Sequence, residues 1–167
     1  MSDSQIVDPA ARQIVGFLRE IGLEVQIRAL TQPTFLPGIQ IERGGLVVDP
    51  DRLTYPGDLL HEAGHLAVVP PGTRTEMHGD AGDDQTSELM AIGWSYAALV
   101  HLGLDPSVVF HAGGYQDGGQ TYLRNFAEGR YLAVPMLQWA GLTLDQKHAS
   151  EAGVAPYPRM LRWLRAE

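Results

Sequence analysis

Apolar residues recur at helical spacing at Ile14, Phe17, Leu18 and Ile21. Asp8-Pro9 ahead of them reads as an N-cap followed by proline at the first helical position, and Gly22 ends the helix. Leu23, Val25 and Ile27 then alternate with polar residues, which predicts a strand. After a broken stretch from Gln32 to Gly38, the alternation returns at Ile39 and Ile41. Gly44-Gly45 reads as a turn, and Leu46-Val47-Val48 as the return strand of a hairpin closed by Asp49-Pro50.

A second helix is predicted from about Pro56, with Asp58 in its first turn where the dipole favours an acid. It carries Leu59, Leu60, Ala63, Leu66 and Ala67 and must stop by Pro70-Pro71. Gly72 to Thr86 is polar and acidic and reads as a loop. Ser87 to Leu102 is a strong helix ended by Gly103. Asp105-Pro106 opens a short segment with Val108, Val109 and Phe110, followed by a glycine-rich loop from His111 to Gly119. Helical signals resume near Thr121, Pro135 interrupts them, and the tail from Arg159 reads as a short amphipathic helix. Few strands and several helices, without regular alternation, predict an α+β fold. With no repeat, low-complexity tract or linker, residues 1–167 read as one domain.

Composition narrows the chemistry. The chain is 44% hydrophobic and carries a net charge of -8, enough apolar material for a core and too acidic for a nucleic-acid binder or for docking on anionic lipid. It has no cysteine, so thiol nucleophiles, Fe–S clusters and Cys-ligated zinc are excluded. The polar start of the chain has no secretory apolar core, and the uncharged run Leu89–Leu104 is too short to span a bilayer. The expected location is cytoplasmic.

The informative stretch is Leu60-His61-Glu62-Ala63-Gly64-His65. One helical turn sets the His61 and His65 imidazoles on one face, about 5–6 Å apart at Cβ, suited to two ligands of one metal. Glu62, rotated about 100° around the axis, can reach a water on that metal without binding the ion. Six histidines in 167 residues make this HExxH spacing a chance event roughly once in a hundred such chains, so it is read as a metal motif. A third ligand is required. The extended motif fails, because Val68 stands where its glycine would be and Pro71 where its histidine would be. Glu88, in the first turn of the next helix, is the preferred third ligand. His78, Asp80, Asp83 and Asp84, in the intervening loop, are its rivals.

These pieces resemble a gluzincin-type zinc metallopeptidase, above all the compact ImmA/IrrE type. The matching segments are Gly45-Leu-Val-Val-Asp49, Leu60-His-Glu-Ala-Gly-His65, Glu88-Leu-Met-Ala91 and Trp94-Ser-Tyr-Ala97, within Ile39 to Leu104. The resemblance implies a zincin-like α+β core, one Zn2+ and hydrolysis of peptide bonds in a peptide or protein substrate. It does not extend to residues 105–167.

On this reading zinc held by His61, His65 and Glu88 acidifies a water, Glu62 takes its proton, and a further donor steadies the oxyanion. His111 and Tyr115 of the glycine-rich loop are the expected donors, with Tyr96 as a third candidate. Trp139 and Trp163 are expected to be packing residues. The competing reading is a metal- or partner-binding regulatory protein on the same scaffold without turnover. An intact Glu62 favours the enzyme. Hydrolysis of a non-peptide amide is a third reading.

Overall fold

In the computed structural model, residues 5–79, 81 and 84–167 are described. Helix α1 (Pro9–Glu20) begins as its sequence dictates. The Asp8 carboxylate accepts from the Ala11 amide at 2.8 Å, and Ala11, Ile14, Val15, Phe17 and Leu18 form its buried face. Strand β1 (Val25–Ile27) follows. The hairpin is β2 (Ile39–Glu42) and β3 (Gly45–Val48), paired antiparallel with Ile39 opposite Val48 and Glu42 opposite Gly45. The turn is therefore Arg43-Gly44, one residue earlier than the Gly44-Gly45 expected, and both residues sit at positive φ as a two-residue hairpin turn requires. β1 lies parallel to β3 on its other side, so the sheet order is β1-β3-β2. The central position of β3 explains its unbroken apolar run: all four residues are buried.

Helix α2 (Asp58–Val68) and helix α4 (Gln85–Leu102) form the most extensive helix pair in the molecule. They run antiparallel, with Ser95 Oγ donating toward Leu60 O at 3.2 Å at one end and Ser87 meeting His65 at the other. They come close at Gly64, where a Cβ would stand 2.8 Å from Ala91 O. Glycine is needed here for proximity. The core joins the inner face of α1, β3, α2 and α4, and continues to Leu137, Leu142 and Tyr157.

The region 72–86 is not wholly loop. Pro71 serves as a first-turn proline and starts α3 (Pro71–Glu76), and Gly79 pairs with Ile41 at the edge of β2. Arg74 of α3 donates to Leu66 O at 2.7 Å and Val69 O at 3.1 Å, satisfying carbonyls at the end of α2. Three short helices follow a 3-10 turn at Pro106–Val108: α5 (Gln120–Ala127), α6 (Val134–Trp139) and α7 (Gln146–Ala152).

The tail from Arg159 is not a helix. Its backbone groups are engaged elsewhere: Leu161 N donates to Leu142 O and Arg165 N to Ala67 O, both at 2.8 Å, and Arg74 donates to Arg165 O at 2.9 Å. Trp163 packs edge-on against Phe17 and Trp94, as a packing residue should. Trp139 does not. It is 76% exposed, with the Arg165 guanidinium 4.6 Å above its ring. No helix among the described residues is long and apolar enough to cross a membrane.

Candidate metal centre

Asp58, His61, Glu62 and His65 fall at i, i+3, i+4 and i+7, a single polar stripe on an otherwise apolar α2. The Gly64–Ala91 contact brings the first turn of α4 against that stripe. The result is a triangle of ligand atoms. His61 Nε2 and His65 Nε2 are 3.1 Å apart, Glu88 Oε2 is 3.4 Å from the former and 3.1 Å from the latter. The sequence-predicted trio His61, His65 and Glu88 is thus brought together as a candidate metal-binding group.

The donor set fits a divalent ion. Two imidazole nitrogens and one carboxylate oxygen crowd within 3.4 Å of one another. A cation satisfies both nitrogens and the carboxylate oxygen at once. A tetrahedral ion with bonds of about 2.0–2.1 Å has ligand–ligand edges of about 3.3–3.4 Å, close to the edges seen.

Electrostatics reinforce the grouping. Hydrogen bonds from His61 and His65 hold the Glu88 carboxyl far below the usual carboxylate range, so it stays ionised. Burial pushes the His61 imidazole down, but the hydrogen bond and charge of Glu88, with Glu62 and Asp58 nearby, outweigh it and the net shift is upward. Glu62 lies beside the trio without joining it. Burial raises its carboxyl above the ordinary range, although the two histidines pull it back.

A cleft of about 400 Å³ opens over these groups. Phe35 and Leu36 form one wall, Gly114 and Tyr115 border it, and Asp58, His61, Glu62, Gln85 and Glu88 complete the lining.

No known family model, curated protein or solved structure matches this chain.

The remaining sequence-predicted residues separate on geometry. Tyr115 borders the cleft, and burial pushes its phenol well up, with the charge of Glu88 adding to the effect, so it remains an O–H donor. His111 is turned elsewhere. Its Nε2 is 2.8 Å from Asp58 Oδ1, and its ring stacks on Tyr55 with centroids 3.8 Å apart. The expected donor is therefore engaged on the first turn of α2, and it fastens the glycine-rich loop there. Tyr96 stacks on Phe126 with centroids 3.9 Å apart and is not part of the cleft lining. Among the rival ligands, Asp84 is the N-cap of α4, accepting from Ser87 N at 2.6 Å, and His78 is not in the trio. Asp80 and Asp83 lie outside the described residues.

Sequence reading missed two residues. Asp58 was visible only as a dipole-favouring acid, yet it holds His111. Ser87 was visible only as a helix-start residue, yet its hydroxyl is 3.1 Å from His65 Nδ1.

Proposed function

We propose that this protein is a zinc-dependent hydrolase of the gluzincin type that cleaves an amide bond, with a peptide as its substrate. The observation that carries the reading is the convergence of His61, His65 and Glu88 on one point, with Glu62 beside them at the floor of an open cleft. Two imidazoles and a carboxylate suit zinc in the absence of any thiolate. When bound, the ion supplies Lewis-acid polarisation of a carbonyl and acidifies a water.

The chain's own groups supply the rest. Glu62 accepts the proton of the attacking water and returns it to the leaving nitrogen. Its burial suits that role, because a carboxylate raised toward neutrality is a better proton acceptor. Tyr115, kept protonated, donates to the developing oxyanion. Among the described residues the lining holds the acids Asp58, Glu62 and Glu88 but no lysine or arginine, which favours neutral or basic peptides over acidic ones. Phe35 and Leu36 offer an apolar surface to a substrate side chain.

The test has two parts. Protein purified without chelator should hold close to one zinc per chain, and a His61→Ala/His65→Ala double variant should hold none. A peptide library should then be cleaved by the zinc-loaded protein and spared when chelator is added. Glu62→Gln should keep the zinc and lose at least about 10²-fold in rate. Zinc retained by the double histidine variant would remove the site. Zinc bound with no cleavage of any peptide would favour the regulatory scaffold.

A further inference from the structure

We infer that Ser87 is a positioning residue for the metal: it sets the ring orientation and the protonation side of His65, so that two neighbouring residues of α4 serve one ion, Glu88 as ligand and Ser87 through His65. The inference rests on the metal-site reading proposed above.

The geometry is specific. His65 is 97% buried as a side chain and its ring has two nitrogens to satisfy. Nε2 points at His61 and Glu88, and Nδ1 is 3.1 Å from Ser87 Oγ. For Nε2 to offer its lone pair to a metal, the ring proton must sit on Nδ1. It then donates to Ser87 Oγ, which is the acceptor that this tautomer needs. His61 has no such support, because its Nδ1 is buried without a hydrogen-bond partner. The two histidines are therefore unequal: His65 is held at both ring nitrogens before the metal arrives, and His61 at Nε2 alone.

Ser87 is itself held. Its amide donates to the Asp84 carboxylate at 2.6 Å in the cap of α4, and its neighbour Ala91 one turn on abuts Gly64. The hydroxyl thus stands on a fixed first turn. A hydroxyl can also reverse its role. Without metal, His65 can carry its proton on Nε2 toward Glu88 Oε2, 3.1 Å away, while the Ser87 hydroxyl donates to Nδ1. Serine keeps His65 satisfied in both tautomers, whereas a carboxylate at this position would satisfy only one.

The experiment measures zinc affinity by competition with a chromophoric chelator, in the full chain, for wild type, Ser87→Ala and Ser87→Thr. Ser87→Ala should bind zinc about 10–100-fold more weakly, the usual effect of losing a partner behind a metal-bound histidine, while Ser87→Thr, which keeps the hydroxyl, should stay close to wild type. Thermal melts of the metal-free proteins separate positioning from folding: Ser87→Ala should melt close to wild type without zinc and gain less on zinc addition. Nitrogen NMR of the zinc-loaded wild type should find the His65 proton on Nδ1. Equal zinc affinity in Ser87→Ala and wild type would overturn the inference while leaving the metal site standing. So would a loss in Ser87→Ala matched by Ser87→Thr. Absence of zinc binding by wild type would instead sink the metal site itself, and this inference with it.

Discussion

His61 and His65 on α2 meet Glu88 on α4, and the two helices come close at Gly64. Replacing Gly64 with alanine adds one methyl group where a Cβ would lie 2.8 Å from Ala91 O, 3.0 Å from Ala91 Cα and 3.2 Å from Ala91 Cβ. All three atoms belong to the backbone or the stub of a helix, so none can swing aside. Restoring an ordinary contact of about 3.4 Å to the oxygen requires the helices to part by about 0.6 Å. Overpacking of this kind costs about 1–3 kcal/mol. In a chain of this size each kcal/mol moves the melting point by about 2–4 °C, giving a fall of about 2–12 °C for Gly64→Ala. Gly16→Ala is the control. Gly16 is exposed inside α1 with nothing within 4 Å of the added carbon, so the same methyl should stabilise by about 0.5–1 kcal/mol through helix propensity. The two variants should therefore move in opposite directions. The same parting of about 0.6 Å carries the His65–Glu88 edge from 3.1 Å past the about 3.3–3.4 Å of a tetrahedral site, so zinc affinity should fall as well. Urea titration and chelator competition measure the two effects. A Gly64→Ala protein as stable as wild type, with undiminished zinc affinity, would show that this contact does not set the site.

Two further predictions concern the cleft. Tyr115→Phe should lower kcat more than it raises KM, since an oxyanion donor acts on the transition state; His111→Ala, which frees the loop from Asp58, should lower both activity and thermal stability, and a variant as stable as wild type would argue against that fastening. Zinc affinity should decline on acidification, because the metal must displace imidazole protons; with the metal-free His61 shifted upward, the decline should begin above the ordinary imidazole range, and an affinity constant from about pH 8 to about pH 5.5 would contradict histidine ligation.

Elements fixed by local signals were legible in the chain. The cap at Asp8, the apolar stripe of α1, the HExxH face of α2 and the start of α4 each depend on residues within a turn or two of one another. Glu88, a first-turn acid at the right distance along the chain, stands out for the same reason, and it lies beside His61 and His65. Features that depend on distant partners were not legible. His111 looked free to face the metal because Asp58, its partner, lies 53 residues away. The tail looked amphipathic and helical, but its amides are drawn to Ala67 and Leu142. Trp139 looks like core in the sequence, but it is exposed, with the Arg165 guanidinium over its ring. Proline at 71 marks a stop for α2, yet the same residue suits the first turn of a new helix. Ser87 was hidden by its ordinary place beside a cap.

Arg74 joins groups that are distant along the chain, and this bears on the order of assembly. All three candidate ligands lie between His61 and Glu88, 27 positions apart, so the α2–α4 pair can form from one short stretch of polypeptide. The closing strap is of another kind. Arg74 reaches Arg165 across 91 positions, and Trp94 reaches Trp163 across 69. Contacts of such long loops carry a larger closure entropy and form late. During synthesis the ligand-bearing hairpin is complete before its strap exists. For that interval the Arg74 side chain already meets the carbonyls of Leu66 and Val69, while that of Ala67, which accepts from Arg165 N in the finished fold, still waits for its partner at the C-terminal end of α2.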